Sequence, residues 1–295
     1  MAKVHVDHCP LCHSRALTPL FSVRDHQVSQ DYFMLVRCDA CAFMLTQDHP
    51  DASESGVYYA SEDYVSHSDT RRGLINRLYH GVRSWMLKRK YRLVSQLQSG
   101  KKLLDYGCGT GYFLHTMQQA GWEVTGMEIS TAAAGIARKK FGLNVLPVSN
   151  LALQHKAFNV ITLWHVLEHV HTLAETLHHL HRALQDGGYL ILALPNHHSL
   201  DAETYREYWG GYDVPRHLWH FRAETVLEAT KKLFVLQNMH TLPFDAFYVS
   251  MLSEKYQGSG WLGLWKAFWT GFRSWLAGFR EVTRSSSIVY ILKKI

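Results

Sequence analysis

The stretch Leu103-Leu104-Asp105-Tyr106-Gly107-Cys108-Gly109-Thr110-Gly111-Tyr112-Phe113-Leu114 constrains this chain more than any other. An apolar strand runs through a glycine-rich turn directly into a helix, with glycine at every second position of the turn. Each glycine lets the backbone take positive φ, or pass within van der Waals distance of a ligand where a Cβ would intrude. Such a strand, turn and helix place a ligand crevice beyond the strand carboxyl end of an α/β sheet.

The spacing bears on which ligand. A dinucleotide fingerprint, G-x-G-x-x-G, seats a pyrophosphate on the helix N-terminus. Here the turn reads Asp105-x-Gly107-x-Gly109-x-Gly111. A carboxylate at the strand end repels a pyrophosphate and suits a cation, such as the amino group of S-adenosylmethionine. Downstream, Trp122 to Ser130 reads as a second strand ending in Glu128, whose carboxylate can accept hydrogen bonds from both ribose hydroxyls.

Two further segments, Phe158 to Val170 and Leu184 to Leu192, follow in order. With these residues the chain resembles the class I S-adenosylmethionine-dependent methyltransferases over roughly residues 75 to 240. The resemblance implies an α/β fold, a Rossmann-like seven-stranded methyltransferase sheet with helices on both faces. It also implies S-adenosyl-L-methionine as cofactor, held by Asp105, Gly107, Gly109, Gly111, Glu128, Asn150, Leu151 and Trp164. Asn150 stands where many relatives carry an acidic residue near adenine.

The cysteines are ordered. Cys9-Pro-Leu-Cys12 and Cys38-Asp-Ala-Cys41 have the form of a four-thiolate structural zinc site, with Val28 to Arg37 expected as a strand leading into the second pair. A redox dithiol is the alternative. His8 and His13 flank the first pair and are left out of the ligand set, and Cys108 reads as a small residue that fits the glycine turn. This N-terminal pattern, followed by Tyr58, Tyr59 and Tyr64, is similar to a bacterial subgroup of the family with a zinc-binding head, which includes sugar C-methyltransferases.

The expected division is a zinc-ribbon-like head over 1–50, a linker or lid with a helix over 51–98, and the methyltransferase domain over 99–295. The polar run Asp51 to Thr70 forms the linker, and Leu74 to Gln98 the helix, its Arg and Lys residues read as a solvated face. Strands are expected at Lys102 to Tyr106, Glu123 to Glu128, Asn144 to Pro147, Phe158 to Leu163, Tyr189 to Leu194, Phe234 to Met239 and Ser287 to Lys293.

The strand Phe158 to Leu163 delivers Trp164, His165 and Glu168 to the crevice. His165 has three readings: general base, stacking partner of the cofactor, or cap of the next helix. The Glu168-His169 pair reads as structural, and His171, His178, His179 and His181 as solvated histidines. An insertion over 196–222 is dense in aromatics, among them Tyr205, Tyr208, Trp209, Tyr212, Trp219 and Phe221. It suits a pocket clamping a small organic acceptor, with His217 the first choice of base; Asp213, Arg216 and His217 bracing a lid is the competing reading.

A second aromatic segment spans 244–281. Within it Trp261 to Arg280 has aromatics at spacings of three and four, with Lys266, Arg273 and Arg280 expected on the polar side of an amphipathic helix. Such a helix can lie on a membrane surface, pack on the core, or join a second subunit as a homo-oligomer.

At 295 residues, 47% hydrophobic and 19% charged, the chain has the composition of a globular enzyme. The start Met-Ala-Lys-Val-His lacks an apolar signal region, and the expected location is cytoplasmic. The net charge of +6 is spread along the chain rather than gathered into tracts, which argues against nucleic acid. The expected activity is methyl transfer to an O or C atom of a small acceptor, sugar-, quinone- or lipid-linked. The rival reading is a zinc-headed RNA-binding protein or RNA methyltransferase. Against it, Trp164-His165 stands where a base-methylating Asn-Pro-Pro-Tyr motif would lie.

Overall fold

Short strands separated by turn-forming residues open the chain. The computed structural model describes residues 3–59, 74–97 and 100–295. It begins with β1 (Lys3–Val4), β2 (Leu17–Arg24), β3 (Tyr32–Cys38), β4 (Met44–Thr46) and β5 (His49–Pro50). β2, β3 and β4 pair antiparallel, and β1 pairs with β5. The expected strand from Val28 begins instead at Tyr32, because Asp25 organises a turn. Its carboxylate accepts the backbone N–H groups of Gln27, Val28 and Ser29 at 3.0, 3.2 and 2.8 Å. A side chain that satisfies three backbone donors competes directly with strand pairing. β2 is mostly exposed, so no apolar alternation marks it in the sequence.

Of the expected linker Asp51 to Thr70, residues 51–59 form turns against the body of the protein; the remainder, with Tyr64, lies outside the described residues. The side chains of Leu74 and Leu78 also lie outside them. α1 (Leu74–Ser95) then leads into an alternation of β6 (Lys102–Tyr106), α2 (Tyr112–Gln119), β7 (Glu123–Met127), α3 (Thr131–Phe141), β8 (Val145–Leu146), β9 (Phe158–Trp164), α4 (Leu173–Ala183) and β10 (Leu184–Pro195). Local chemistry sets the ends of these helices. In α3 the Ser130 hydroxyl accepts the Ala133 N–H, and Gly142 at φ 65 closes the other end.

The chain continues through α5 (Leu200–Tyr205), β11 (Trp219–His220), α6 (Ala223–Thr230), β12 (Phe234–Thr241), α7 (Asp245–Gln257), α8 (Leu262–Arg280) and β13 (Ser287–Lys294). The main sheet has seven strands in the order β12-β13-β10-β9-β6-β7-β8, and β13 runs antiparallel to both its neighbours. Adjacent residues on each strand serve opposite faces. Leu104, Ile161 and Leu192 join Leu173, Leu177 and Val226 of α4 and α6 on one side. Leu103, Val160 and Ile191 join Val94, Leu114 and Ala137 of α1, α2 and α3 on the other. Parallel strands buried on both faces give the near-continuous apolar runs visible in the sequence. The strand order reverses beside β6, between β7 and β9, which creates the switch point where α/β sheets bind ligands.

The head and the aromatic insertion share structure. β11, from the insertion, pairs with β4, aligning Trp219 with Leu45 and His220 with Met44. A third core cluster joins Val23, Phe33 and Leu35 of the head to Tyr205, Trp209 and Tyr212 of the insertion. The expected acceptor clamp is therefore largely an internal seam: the head is too small to bury its own sheet face, and these rings cover it. Among the described residues no helix is long and apolar enough to cross a membrane.

Candidate active site

The glycine turn follows β6 with φ of 77, 54 and 82° at Gly107, Gly109 and Gly111. A Cβ at Gly107 would lie 2.4 Å from Val166, and one at Gly111 would lie 2.6 Å from Leu143, whereas one at Gly109 meets nothing within 4 Å. The outer two glycines thus allow tight packing, and the middle one faces open space. Glu128 ties the turn to the end of β7: its carboxylate accepts the Gly109 and Ser130 N–H groups, each at 2.8 Å. Each oxygen keeps a lone pair for further donors.

Asp105 is buried beneath the turn and accepts the Thr162 hydroxyl at 2.6 Å. Burial pushes its carboxyl up to about 7, against the opposing pull of Thr162 and Lys90. Lys90 reaches in from α1, its Nζ 4.2 Å from the centroid of the Trp164 ring. Burial lowers its pKa, while Asp105 and Asp245 counteract that shift. Lys90 thus departs from the solvated face expected for the basic residues of this helix. Trp164 also packs edge-on against Phe113, at 5.4 Å between ring centroids. Asn150 sits half-buried in the turn after β8, while the Leu151 side chain is buried in the core.

One residue past Trp164, the chain turns sharply. His165 adopts φ 57, a left-handed conformation that few non-glycine residues hold. The strain aims its ring between two carboxylates, with Nε2 3.2 Å from Asp245 and Nδ1 3.5 Å from Glu168. Burial works against its charge, yet Asp245 and Glu168 outweigh burial and raise its pKa to about 9. A histidine so held is protonated at neutral pH, which suits a hydrogen-bond donor better than a base.

Glu168 is fully buried, and neither of its carboxylate oxygens has a hydrogen bond among the described residues. Burial disfavours its charge, but His165, His169 and His217 around it hold the pKa below the ordinary value. His217 Nδ1 lies 2.9 Å from the Gly211 carbonyl, which can only accept, so that nitrogen carries the hydrogen. Nε2 is then the atom free to exchange a proton, and it faces Glu168 and Asp213 at 4.0 Å each. His169 Nδ1 lies 2.9 Å from the Arg216 carbonyl and 3.0 Å from the Tyr59 hydroxyl. Burial, helped by His217, lowers the His169 pKa to about 4. Ligand atoms of Glu168, His169 and His217 all lie within 4.8 Å of one another.

Arg216 supports this cluster. Its guanidinium donates to Asp213 at 2.6 and 3.0 Å, to Asp25 of the head at 3.2 Å and to the Tyr58 carbonyl at 3.0 Å. Asp213 and Arg216 are therefore braces, while His217, next in sequence, turns its Nε2 toward Glu168 and Asp213. Sequence reasoning missed Asp245 and Lys90. The only local signal for Asp245 is an acid in the first turn of a helix after Pro243, which marks a helix start and nothing about a site.

In the head, the sulfurs of Cys9, Cys12, Cys38 and Cys41 lie within 4.8 Å of one another. Cys9 to Cys41 and Cys12 to Cys38 are each 3.5 Å apart, too long for a disulfide and close to the edge of a tetrahedral thiolate shell around zinc. The donor set thus fits zinc. His8 and His13 stand outside the cluster.

A family profile described as a methyltransferase domain matches residues 79–233. The chain is 32% identical over 106 residues to the ubiquinone biosynthesis O-methyltransferase of Aromatoleum aromaticum, covering 33% of this chain and 45% of that protein. It is 35% identical over 109 residues to the enzyme of the same name from Haemophilus ducreyi, covering 33% and 46%. The chain thus spans about half the length of the curated relatives it matches. A solved S-adenosylmethionine-dependent methyltransferase from Archaeoglobus fulgidus aligns over 72% of this chain and 94% of its own, with 17% identity and a TM-score of 0.49. With that profile covering more than half of its length, on a seven-stranded sheet whose glycine turn and acidic strand end stand where the cofactor crevice lies, the chain belongs to the class I S-adenosylmethionine-dependent methyltransferase family.

Proposed function

We propose that this chain transfers the methyl group of S-adenosylmethionine to a small organic acceptor seated between the glycine turn and the cluster of His165, Glu168 and His217. The observation that carries the reading is the end of β9. There Trp164 packs on the cofactor side, against Lys90 and Phe113, while the next residue, His165, turns to Asp245 and Glu168. Asp105 and Lys90 offer charges that match the amino and carboxylate groups of the cofactor. Glu128 offers lone pairs to the ribose, and Ile129 beside it is a highly exposed apolar side chain suited to cover adenine.

S-adenosylmethionine supplies a methyl group already activated on a sulfonium, so alignment carries much of the rate. His217 Nε2 takes the acceptor's hydroxyl proton as the new bond to the methyl carbon forms and the bond to sulfur breaks. S-adenosylhomocysteine then leaves with the electron pair, and the proton passes to solvent. Protonated His165, its Nε2 turned to Asp245 and its Nδ1 to Glu168, holds these two carboxylates in place on the acceptor side. Oxygen is the favoured target atom: a base suits a hydroxyl, and the relatives are named for O-methylation in ubiquinone biosynthesis. The acceptor is then sugar-, quinone- or lipid-linked. In the head, Cys9, Cys12, Cys38 and Cys41 would hold a structural zinc.

The test is incubation of the purified protein with methyl-labelled S-adenosylmethionine and separate pools of phenolic, quinol and sugar acceptors, total RNA, and protein. Label in a small-molecule pool supports the reading. Label confined to RNA or protein overturns the small-acceptor assignment.

A further inference from the structure

The helix α8 is built inside out relative to an ordinary surface helix. Its buried stripe is made of small residues, Gly263, Ala267, Gly271, Ser274 and Gly278. A Cβ at Gly271 would lie 2.9 Å from the Phe247 backbone of α7, and one at Gly278 2.9 Å from the Ser285 backbone, so these glycines permit close packing. The Ser274 hydroxyl donates to buried Asp201, which also accepts the Trp209 indole N–H at 2.7 Å. The inner face is thus anchored to the protein, and the large side chains point away from it. Trp261 is 76% exposed, Trp265 65%, Trp269 58% and Phe279 76%, and Leu264, Phe268, Phe272 and Trp275 are exposed as well.

The charges on α8 are ordered too. Lys266, Arg273 and Arg280 recur every seven residues, which places them in one row along the helix. At 100° per residue, this row falls at the edge of the aromatic face, between it and the buried stripe. α8 contains no Asp or Glu. At 19 residues it is roughly 28 Å long at 1.5 Å per residue. A tryptophan-rich apolar face bordered by cations alone matches a bilayer interface, where rings settle at the headgroup level and cations meet lipid phosphates. A second copy of the chain would bring the same cations and no carboxylate on this face to pair with them.

We propose that α8 docks the protein peripherally onto an anionic lipid surface through its outward aromatic face. α7, which packs against α8, also carries Asp245 to His165, so the docked helix is rigidly joined to the acceptor side of the site. The docking does not depend on which acceptor is methylated.

The test is flotation of the full chain with vesicles of phosphatidylcholine alone and of an equimolar mixture with phosphatidylglycerol, beside light scattering without lipid. The protein is expected to float with the mixed vesicles and far less with phosphatidylcholine. Substituting Lys266→Gln and Arg273→Gln together should weaken binding to the mixed vesicles by about fivefold per cation, and added salt should have a similar effect. A Trp265→Ser/Trp269→Ser/Phe279→Ser variant should lose flotation while retaining its circular dichroism. If that variant misfolds, the charge variant alone decides the outcome. A protein that binds neither vesicle overturns the proposal. Concentration-dependent dimers abolished by the same substitutions, without flotation, would assign the face to a second copy instead.

Discussion

The two sides of the crevice are built in different ways. The proposed cofactor side is local: Asp105 to Gly111 form one continuous stretch, and Glu128 at the end of the next strand joins it by accepting the Gly109 N–H. The proposed acceptor side is assembled from positions scattered between Tyr59 and Asp245, and it is held by Arg216, which spans the head, the linker and the insertion. A local site depends on backbone conformation. An assembled one depends on long-range braces, so substitutions far from the chemistry should damage it selectively.

The largest effect that can break this contrast is on catalysis. His217→Gln should lower kcat by about 10²–10⁴-fold, the usual contribution of a positioned base, while calorimetry shows unchanged affinity for S-adenosylhomocysteine. If cofactor affinity falls in parallel, the two sides are not separable. Next is Arg216→Met, which leaves Asp25 and Asp213 buried without their cation. A loss of about 3–5 kcal/mol in denaturant unfolding is expected. An unchanged midpoint would show that the brace is dispensable.

On the local side, Gly111→Ala forces a side chain into φ 82 and against Leu143, at a cost of about 1–3 kcal/mol, with weakened cofactor binding. The smallest effect concerns Asp105. Its folded pKa of about 7 lies above the ordinary 3.8, so the native state holds the proton longer than the unfolded chain does. Stability attributable to this group is therefore lost as pH rises from about 4 through about 7. Buried histidines such as His169 slope the other way. The quantity to measure is thus the difference in Tm between wild type and Asp105→Asn across that range, and it should shrink toward low pH.

The same contrast explains what the sequence made legible. The glycine turn, the sheet and the paired cysteines announce themselves because the backbone conformations or donor sets they need restrict nearby residue types. The positions of the buried strands follow from their apolar runs, while their arrangement in one seven-stranded sheet is what the family resemblance implies. Lys90 and Asp245 stay hidden because a lysine on a helix and an acid in a first helical turn are ordinary in any exposed element. Only packing turns them toward Trp164 and His165. The aromatics of the insertion suggested a clamp, yet Tyr205, Trp209 and Tyr212 close the seam under the head; ring density alone does not distinguish a pocket from a core. On α8 the spacing gave the helix correctly, but which face was buried was decided by Gly271 and Gly278 meeting their neighbours' backbones.

The central claim is that the glycine turn and Glu128 hold S-adenosylmethionine, and calorimetric titration with S-adenosylhomocysteine tests it most directly. Wild type should bind it and give no heat with NADH, and a folded Glu128→Ala variant should bind at least about tenfold more weakly, a difference of about 1.4 kcal/mol. A folded wild type that gives no heat with S-adenosylhomocysteine, or that binds NADH as tightly, would contradict the account.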